Sequence, residues 1–224
     1  MKSKREIVAI DGPAASGKST VARHVAERLG ALYLDSGAVY RGITLKALEQ
    51  RAALEDEAAL AELTAKTLMD FFVEDGAVLF SMDGRRPGPE LRAPRVDRAV
   101  SQVAAARGVR EGVVEKLRSA ADLGRLVVEG RDIGTVVFPE SRHKFHLDAS
   151  PAERARRRHG ELTGHDPALS EGAVDEALRR RDALDRARQA APLRVAPDAK
   201  VIDTTGLTVD EVVQQIVQAV RRSG

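Results

Sequence analysis

Two glycines and a lysine in this chain stand at a spacing that suits polyphosphate binding. Residues 12–19, within AIDGPAASGKST, fit G-x-x-x-x-G-K-S/T at every fixed position. Gly12 and Gly17 permit backbone conformations that a Cβ forbids, so the loop can wrap its N–H groups around phosphate oxygens. An apolar, strand-like run precedes the loop. Val21, Val25 and Leu29 follow at helical spacing, and a helix in that place points its positive end at the same anion. Lys18 can reach the β- and γ-phosphates, and Ser19 can offer a hydroxyl to Mg²⁺. The stretch predicts a bound nucleoside triphosphate and leaves open what becomes of it.

Three further stretches set charge on connections. In LYLDSGAVYRG, residues 32–42, an apolar run ends at Asp35, Ser36 can cap a helix, and Arg41 falls on its second turn. Asp35 is a candidate to orient a water on Mg²⁺, and Arg41 to meet a phosphate; a cap and a surface arginine would explain the same residues. In VVEGRDIGTVVFP, 127–139, an apolar run meets Gly130, then Arg131 and Asp132, then Gly134. Open parallel sheets bind ligands beyond the carboxyl ends of their strands, so this charged pair reads as functional. In RRRDALDRARQAAPL, 179–193, the residues Arg181, Asp185 and Arg188 share one helix face. Taken alone they read equally as a salt-bridged surface. Arg154, Arg156, Arg157 and Arg158 form a charge run, usually a solvated face. Beside a triphosphate loop the arginines gain a use. A phosphoryl group in transfer spreads negative charge that guanidinium forks match, and catalysis of that step is mostly positioning and neutralisation.

The elements that must hold these residues read as α/β. Strand-like runs recur at 6–10, 32–35, 125–129, 144–149 and 200–204, with helical patterns between them. That alternation predicts a five-stranded parallel sheet covered by helices. Val209, Val212, Val213, Ile216, Val217 and Val220 make one stripe of a final helix, opened by a Thr208–Glu211 capping box. Ser150, Pro151 and Glu153 predict the same device at another helix start. Residues 70–90 break the alternation. They read as short strands joined at Asp75-Gly76 and Asp83-Gly84, a small β insert. The insert could be a lobe that moves over a substrate or a rigid decoration. Helices resume near Glu90 and fill 95–121.

Composition removes several classes. The chain has 224 residues, enough for one well-buried domain. It has no cysteine, which excludes disulfide and thiolate-metal scaffolds. His143 and His146 would point to opposite faces of a strand, which argues against a metal pair. No apolar run reaches the roughly 20 residues of a membrane helix. The N-terminus lacks a signal-peptide core. A cytoplasmic protein without membrane contact is the expectation. Formal charge is +2, and aromatics are 3%, too few to stack bases along a nucleic acid. No apolar helix face stands out as an interface, so a monomer is expected.

Five segments, IDGPAASGKST, LYLDSGAVYR, SQVAAARGVR, EGRDIGTVVFP and RDALDRARQAAPL, in this order and spacing, resemble the bacterial cytidylate kinases of the nucleoside monophosphate kinase group. The resemblance spans nearly the whole chain. It implies a P-loop kinase fold with a core of 1–66, 92–149 and 190–224, an NMP-binding β insert at about 67–91, and a helical lid at about 150–189, with TGHDPALS as its flexible part. It implies that Gly12, Pro13, Ala14, Ala15, Ser16, Gly17, Lys18, Ser19 and Thr20 cradle ATP. Lys18 would sit on the transferred group, with Mg²⁺ on Ser19 and, through water, on Asp35. Arg154, Arg157 and Arg158 match the lid, with Arg157 toward ATP. For CMP or dCMP, Ser36, Arg110 and Asp132 would contact cytosine, with Ser101 nearby. Arg181 and Asp185 would hold the ribose, and Arg41, Arg131 and Arg188 the α-phosphate. Which of Arg110, Arg131 and Arg188 meets base and which phosphate stays open. Lys18, Arg131, Arg188 and Arg158 are the expected catalytic cations.

An ionised Asp132 would accept from the cytosine 4-amino group and face the uracil carbonyl without a proton between them. Glu129 stands where some relatives carry aspartate, and is expected not to touch the chemistry. Other acceptors (UMP, AMP or shikimate) and a nucleotide-driven switch are the alternatives. The acceptor-binding segments argue against the first, and an arginine-rich pocket facing the loop argues against the second.

Overall fold

The computed structural model of the chain describes residues 6–163, 170–188 and 190–222. Five parallel strands make its centre: β1 (Ile7–Asp11), β2 (Leu32–Asp35), β5 (Leu126–Gly130), β6 (His143–Asp148) and β7 (Lys200–Asp203). Each lies within one residue of its expected bounds. Among the described residues the sheet has seven strands, not five. The expected insert, β3 (Met69–Glu74) and β4 (Ala77–Met82), joins its edge in the order β3-β4-β2-β5-β1-β6-β7. The hairpin pairs antiparallel, and β4 meets β2 through Tyr33 and Ala77. Asp75 and Gly76, like Asp83 and Gly84, take left-handed φ values of 50°, 73°, 51° and 78°, which tight hairpin turns require. Phe80 and Met82 pack into the main core, which is why the hairpin extends the sheet.

Alternation along the strands feeds two cores. Ile7 and Ala9 of β1 face one side with Leu34, Leu126 and Val128. Val8 and Ile10 face the other with Val127, Phe145 and Leu147. The first side is covered by α2 (Ser36–Glu49), α3 (Glu57–Lys66), α4 (Pro94–Val103) and α5 (Arg107–Ser119). The second is covered by α1 (Lys18–Leu29) and α8 (Val209–Arg222). Residues 104–106 divide α4 from α5 within the expected 95–121 helical region. The stripe of α8 is buried from Val212 to Val220, but Val209 is exposed. Each fully buried valine or isoleucine there contributes about 1.5–3 kcal/mol relative to exposure. The Thr208–Glu211 capping box forms in both directions.

Two expected caps differ. Asp35, not Ser36, caps α2 by accepting from the Ala38 N–H at 3.0 Å. Ser150 caps α6 (Pro151–Thr163) through the Glu153 N–H. The Glu153 carboxylate does not return to Ser150; it pairs with Arg156 and Arg157, because two arginines in the next turn compete better than one backbone N–H. α7 (Glu171–Ala187) packs on α6, where Val174, Leu178 and Ala155 enclose Ala14 of the loop after β1. Of TGHDPALS, residues 164–169 lie outside the described residues. Among the described residues no helix is long and apolar enough to cross a membrane.

Candidate functional site

The loop after β1 is built so that backbone faces outward. A Cβ at Gly12 would lie 2.1 Å from the Leu147 carbonyl oxygen. Gly17, at φ 84°, starts α1 in the left-handed region that glycine adopts without strain. Lys18 is buried and its Nζ donates to the Pro13 carbonyl at 3.1 Å. Burial, with Arg131 beside it, pushes Lys18 down to about 7 against the pull of Glu129. The Ser19 hydroxyl donates to Glu129 Oε1 at 2.5 Å. Its lone pairs are thereby left for a cation. α6 braces the loop from outside: Arg154 Nη1 donates to the Ala14 carbonyl at 3.2 Å and to Asp182 at 2.5 Å.

Beyond the carboxyl ends of β2 and β5 lies a cavity. Ser36 and Arg41 line it from α2, Ser101 from α4, and Arg110 from α5. Arg131 and Asp132 enter from the turn after β5, and Arg181, Asp185 and Arg188 from α7 and its end. A Cβ at Gly130 would lie 2.5 Å from Ser36 Oγ, so only glycine lets α2 approach β5 this closely. Ser36 spends its proton on the Glu129 carbonyl at 2.7 Å and can therefore only accept from a ligand. Asp132 and Arg110 form a buried ion pair, and Arg110 also donates to the Ala104 carbonyl at 3.1 Å. The Arg110 guanidinium lies 5.2 Å over the Tyr40 ring.

Charge in the cavity is matched deep inside and in excess at its mouth. Asp185 takes Arg131 Nε at 3.0 Å and pairs with Arg188. Burial works against the Asp185 anion, yet Arg131, Arg188 and Arg181 hold it below the usual carboxylate range. Burial and the neighbouring Arg131 and Arg41 push Arg181 down to about 10, and its buried Nε has no hydrogen-bond partner among the described residues. Lys18, Ser19, Arg41, Arg92, Arg131 and Arg181 line both this cavity and the adjoining one over the loop. Five cations thus stand at the border of two compartments, where a phosphoryl group could pass between them.

A family model described as cytidylate kinase matches residues 8–222. This chain belongs to the cytidylate kinase family. A cytidylate kinase of Caldanaerobacter subterraneus subsp. tengcongensis is 44% identical over 96% of this chain and 95% of its own length. One of Desulforamulus reducens is also 44% identical, over 98% and 99%. A solved structure from Eubacterium ventriosum, 11% identical, gives a TM-score of 0.50 over 96% of this chain and 98% of that one; it speaks to the fold alone.

For this cytidylate kinase family member, all nine residues expected at the acceptor line one cavity with Lys18, Ser19 and Asp35. Of the expected donor residues, Ala14, Ala15, Gly17, Lys18, Ser19 and Thr20 line the adjoining cavity with Arg158. Gly12, Pro13 and Ser16 are buried and do not line it. Arg157 lines neither cavity, though its guanidinium lies beside Gly17: it donates to Glu153, to the Thr204 hydroxyl at 3.0 Å and to the Thr204 carbonyl at 2.8 Å. Arg154 is not on a solvated face but buried between α7 and the loop. His143 and His146 are both buried in β6.

Three residues outside the expected set belong to the site. Glu129 is the clearest correction: it takes the Ser19 hydroxyl, accepts from Tyr33 OH at 3.3 Å and lies 3.9 Å from Lys18 Nζ. Its signal was its place, one residue before the glycine that ends β5. Asp97 of α4 bridges Arg41 at 3.3 Å and Arg158 at 3.2 Å, joining an arginine expected at the acceptor to α6. Tyr40 lines the cavity beside Arg110.

Proposed function

We propose that this chain transfers the γ-phosphoryl group of ATP to CMP or dCMP, with Mg²⁺, giving ADP and CDP or dCDP. The observation that carries the reading is the shared border. A cavity lined by all nine expected acceptor residues meets the ATP loop at Lys18, Arg41, Arg131 and Arg181.

The acceptor is an anionic phosphate oxygen of CMP. It attacks the γ-phosphorus in line while the bond to the β-bridging oxygen breaks and that oxygen keeps the electron pair on ADP. No base is needed, because the attacking oxygen carries no proton. Lys18, Arg131, Arg188 and Arg158 neutralise charge that develops on the transferred group. Asp185 and Arg181 hold the ribose, Asp132 and Ser36 accept from the cytosine amino group, and Arg110 orients Asp132. Ser19, with Glu129 behind it, and Asp35 through water suit a magnesium ion, which takes few protein carboxylates and keeps waters and phosphate oxygens as ligands. Held there, the ion would supply positive charge that offsets the charge of the triphosphate.

The same reading makes α6 and α7 a lid at about 150–189 and the β3–β4 hairpin an NMP-binding insert at about 67–91. The protein works as a cytoplasmic monomer on small nucleotides, where ATP and nucleoside monophosphates are found, and not on nucleic acid. A nucleotide switch needs no second anion pocket, and the arginine-lined cavity speaks for an acceptor. The test is ADP formation with ATP·Mg²⁺ and each of CMP, dCMP, UMP, AMP and GMP against a blank without acceptor. CMP and dCMP are expected to be strongly preferred. ADP formed equally in the blank would overturn the transferase reading.

A further inference from the structure

Asp11 ends β1, directly before Gly12, and is buried. No step above uses its carboxylate. Its Oδ1 accepts from the Ile133 N–H and its Oδ2 from the Gly134 N–H, both at 2.8 Å. Those N–H groups open a short π-helical turn, Ile133–Val137, whose N-cap residue is Asp132. An aspartate at an N-cap ordinarily accepts from the first free N–H groups of its own turn. Asp132 makes no such bond; it pairs with Arg110 at the acceptor cavity. The capping is supplied instead by a carboxylate from another strand, 121 positions earlier in numbering (132 less 11).

We propose that Asp11 is a positioning residue for acceptor selectivity: by capping the Ile133 turn it releases the Asp132 carboxylate to face Arg110 and read the base. The same side chain belongs to the residue before the ATP loop, so it ties the loop of one substrate to the base reader of the other. Burial pushes Asp11 up to about 7 against the pull of the two N–H groups, so the test is run at pH 8, where the carboxylate predominates. The inference rests on the assignment of Asp132 to the cytosine.

The experiment is a double-mutant cycle read as the ratio of kcat/KM for CMP over UMP, with Asp11→Asn, Asp132→Asn and both together. Asp11→Asn replaces one of the two accepting oxygens by an NH₂ that cannot accept, so one of the two N–H groups loses the oxygen it faces, and the turn then competes for Asp132. The ratio is expected to fall roughly tenfold in Asp11→Asn, the scale of one hydrogen bond to a charged group, with KM for ATP changed less than about twofold. In the Asp132→Asn background, Asp11→Asn should lower the ratio no further. Gly134→Ala crowds the same contact from the other side. Its Cβ would lie 3.4 Å from Asp11 Oδ2 and 3.1 Å from Lys144 Cδ, and it carries the test if Asp11→Asn does not fold. An unchanged ratio in Asp11→Asn or, in its place, Gly134→Ala, or additive losses in the double variant, would overturn the proposal. If Asp132→Asn itself leaves the ratio unchanged, the assignment of the base fails first; if Asp132→Asn lowers it and Asp11→Asn does not, only the role of Asp11 fails.

Discussion

The ATP loop and the acceptor cavity both suit phosphate, and they are made differently. The loop is one contiguous segment whose fit depends on backbone and on two glycines that clear it. The cavity is assembled from side chains on α2, α4, α5, α7 and the turn after β5. The loop holds its one cation folded onto a carbonyl, Lys18 on Pro13. The cavity holds its cations on carboxylates, Arg110 on Asp132 and Arg131 and Arg188 on Asp185. A backbone cradle binds any polyphosphate. A cavity of paired charges can discriminate, because a wrong ligand leaves a buried partner unsatisfied.

The comparison breaks most sharply at Lys18. Lys18→Ala is expected to lower kcat on the order of 10³-fold, as for loss of a preorganised charge at the transferred group, with an unchanged circular dichroism spectrum. Ordinary turnover in a folded variant would remove Lys18 from the transfer. Asp132→Ala should act on the other side only. Its kcat/KM for CMP is expected to fall roughly 10²-fold, the scale on which a lost partner of a buried charge acts, while KM for ATP holds. Equal losses for CMP and UMP would separate Asp132 from base selection.

A smaller effect is expected where the two regions touch. Glu129→Gln keeps an oxygen for the Ser19 hydroxyl and loses the charge behind it. The magnesium concentration for half-maximal rate should rise about tenfold, as for other partners of metal ligands, with KM for CMP unchanged; an unaltered magnesium dependence would leave Glu129 a packing residue. The subtlest prediction concerns protons. Burial, with Arg131 beside it, holds Lys18 in the free protein down to about 7. A triphosphate favours its ammonium form. ATP binding should therefore take up part of a proton at pH 8, and affinity should weaken as pH rises above about 7. Titration calorimetry in two buffers of different ionisation enthalpy measures this. No uptake, or release, would contradict it.

What the sequence made legible follows the same divide. The loop could be read from eight consecutive residues, and the five central strands from apolar runs, because both signals are local. The acceptor residues could be grouped only through a resemblance spanning five distant segments. Their pairing was hidden: nothing in ERARRRHGE marks Arg154 as the residue that folding buries against Asp182 and Ala14. Glu129 was misjudged for the same reason. Its neighbours in space, Ser19 and Tyr33, lie 110 and 96 positions away. The β3–β4 hairpin was visible from its Asp-Gly turns, but its place on the sheet edge depends on Phe80 and Met82 packing into the core beside α2.

The most direct measurement is a crystal structure with CMP and a non-hydrolysable ATP analogue. The cytosine amino group is expected within hydrogen-bond distance of Asp132, and the CMP phosphate among Arg41, Arg131 and Arg188, facing the γ-phosphate across Lys18. A base bound outside this cavity, or a monophosphate turned away from the loop, would contradict the shared border on which the transfer depends.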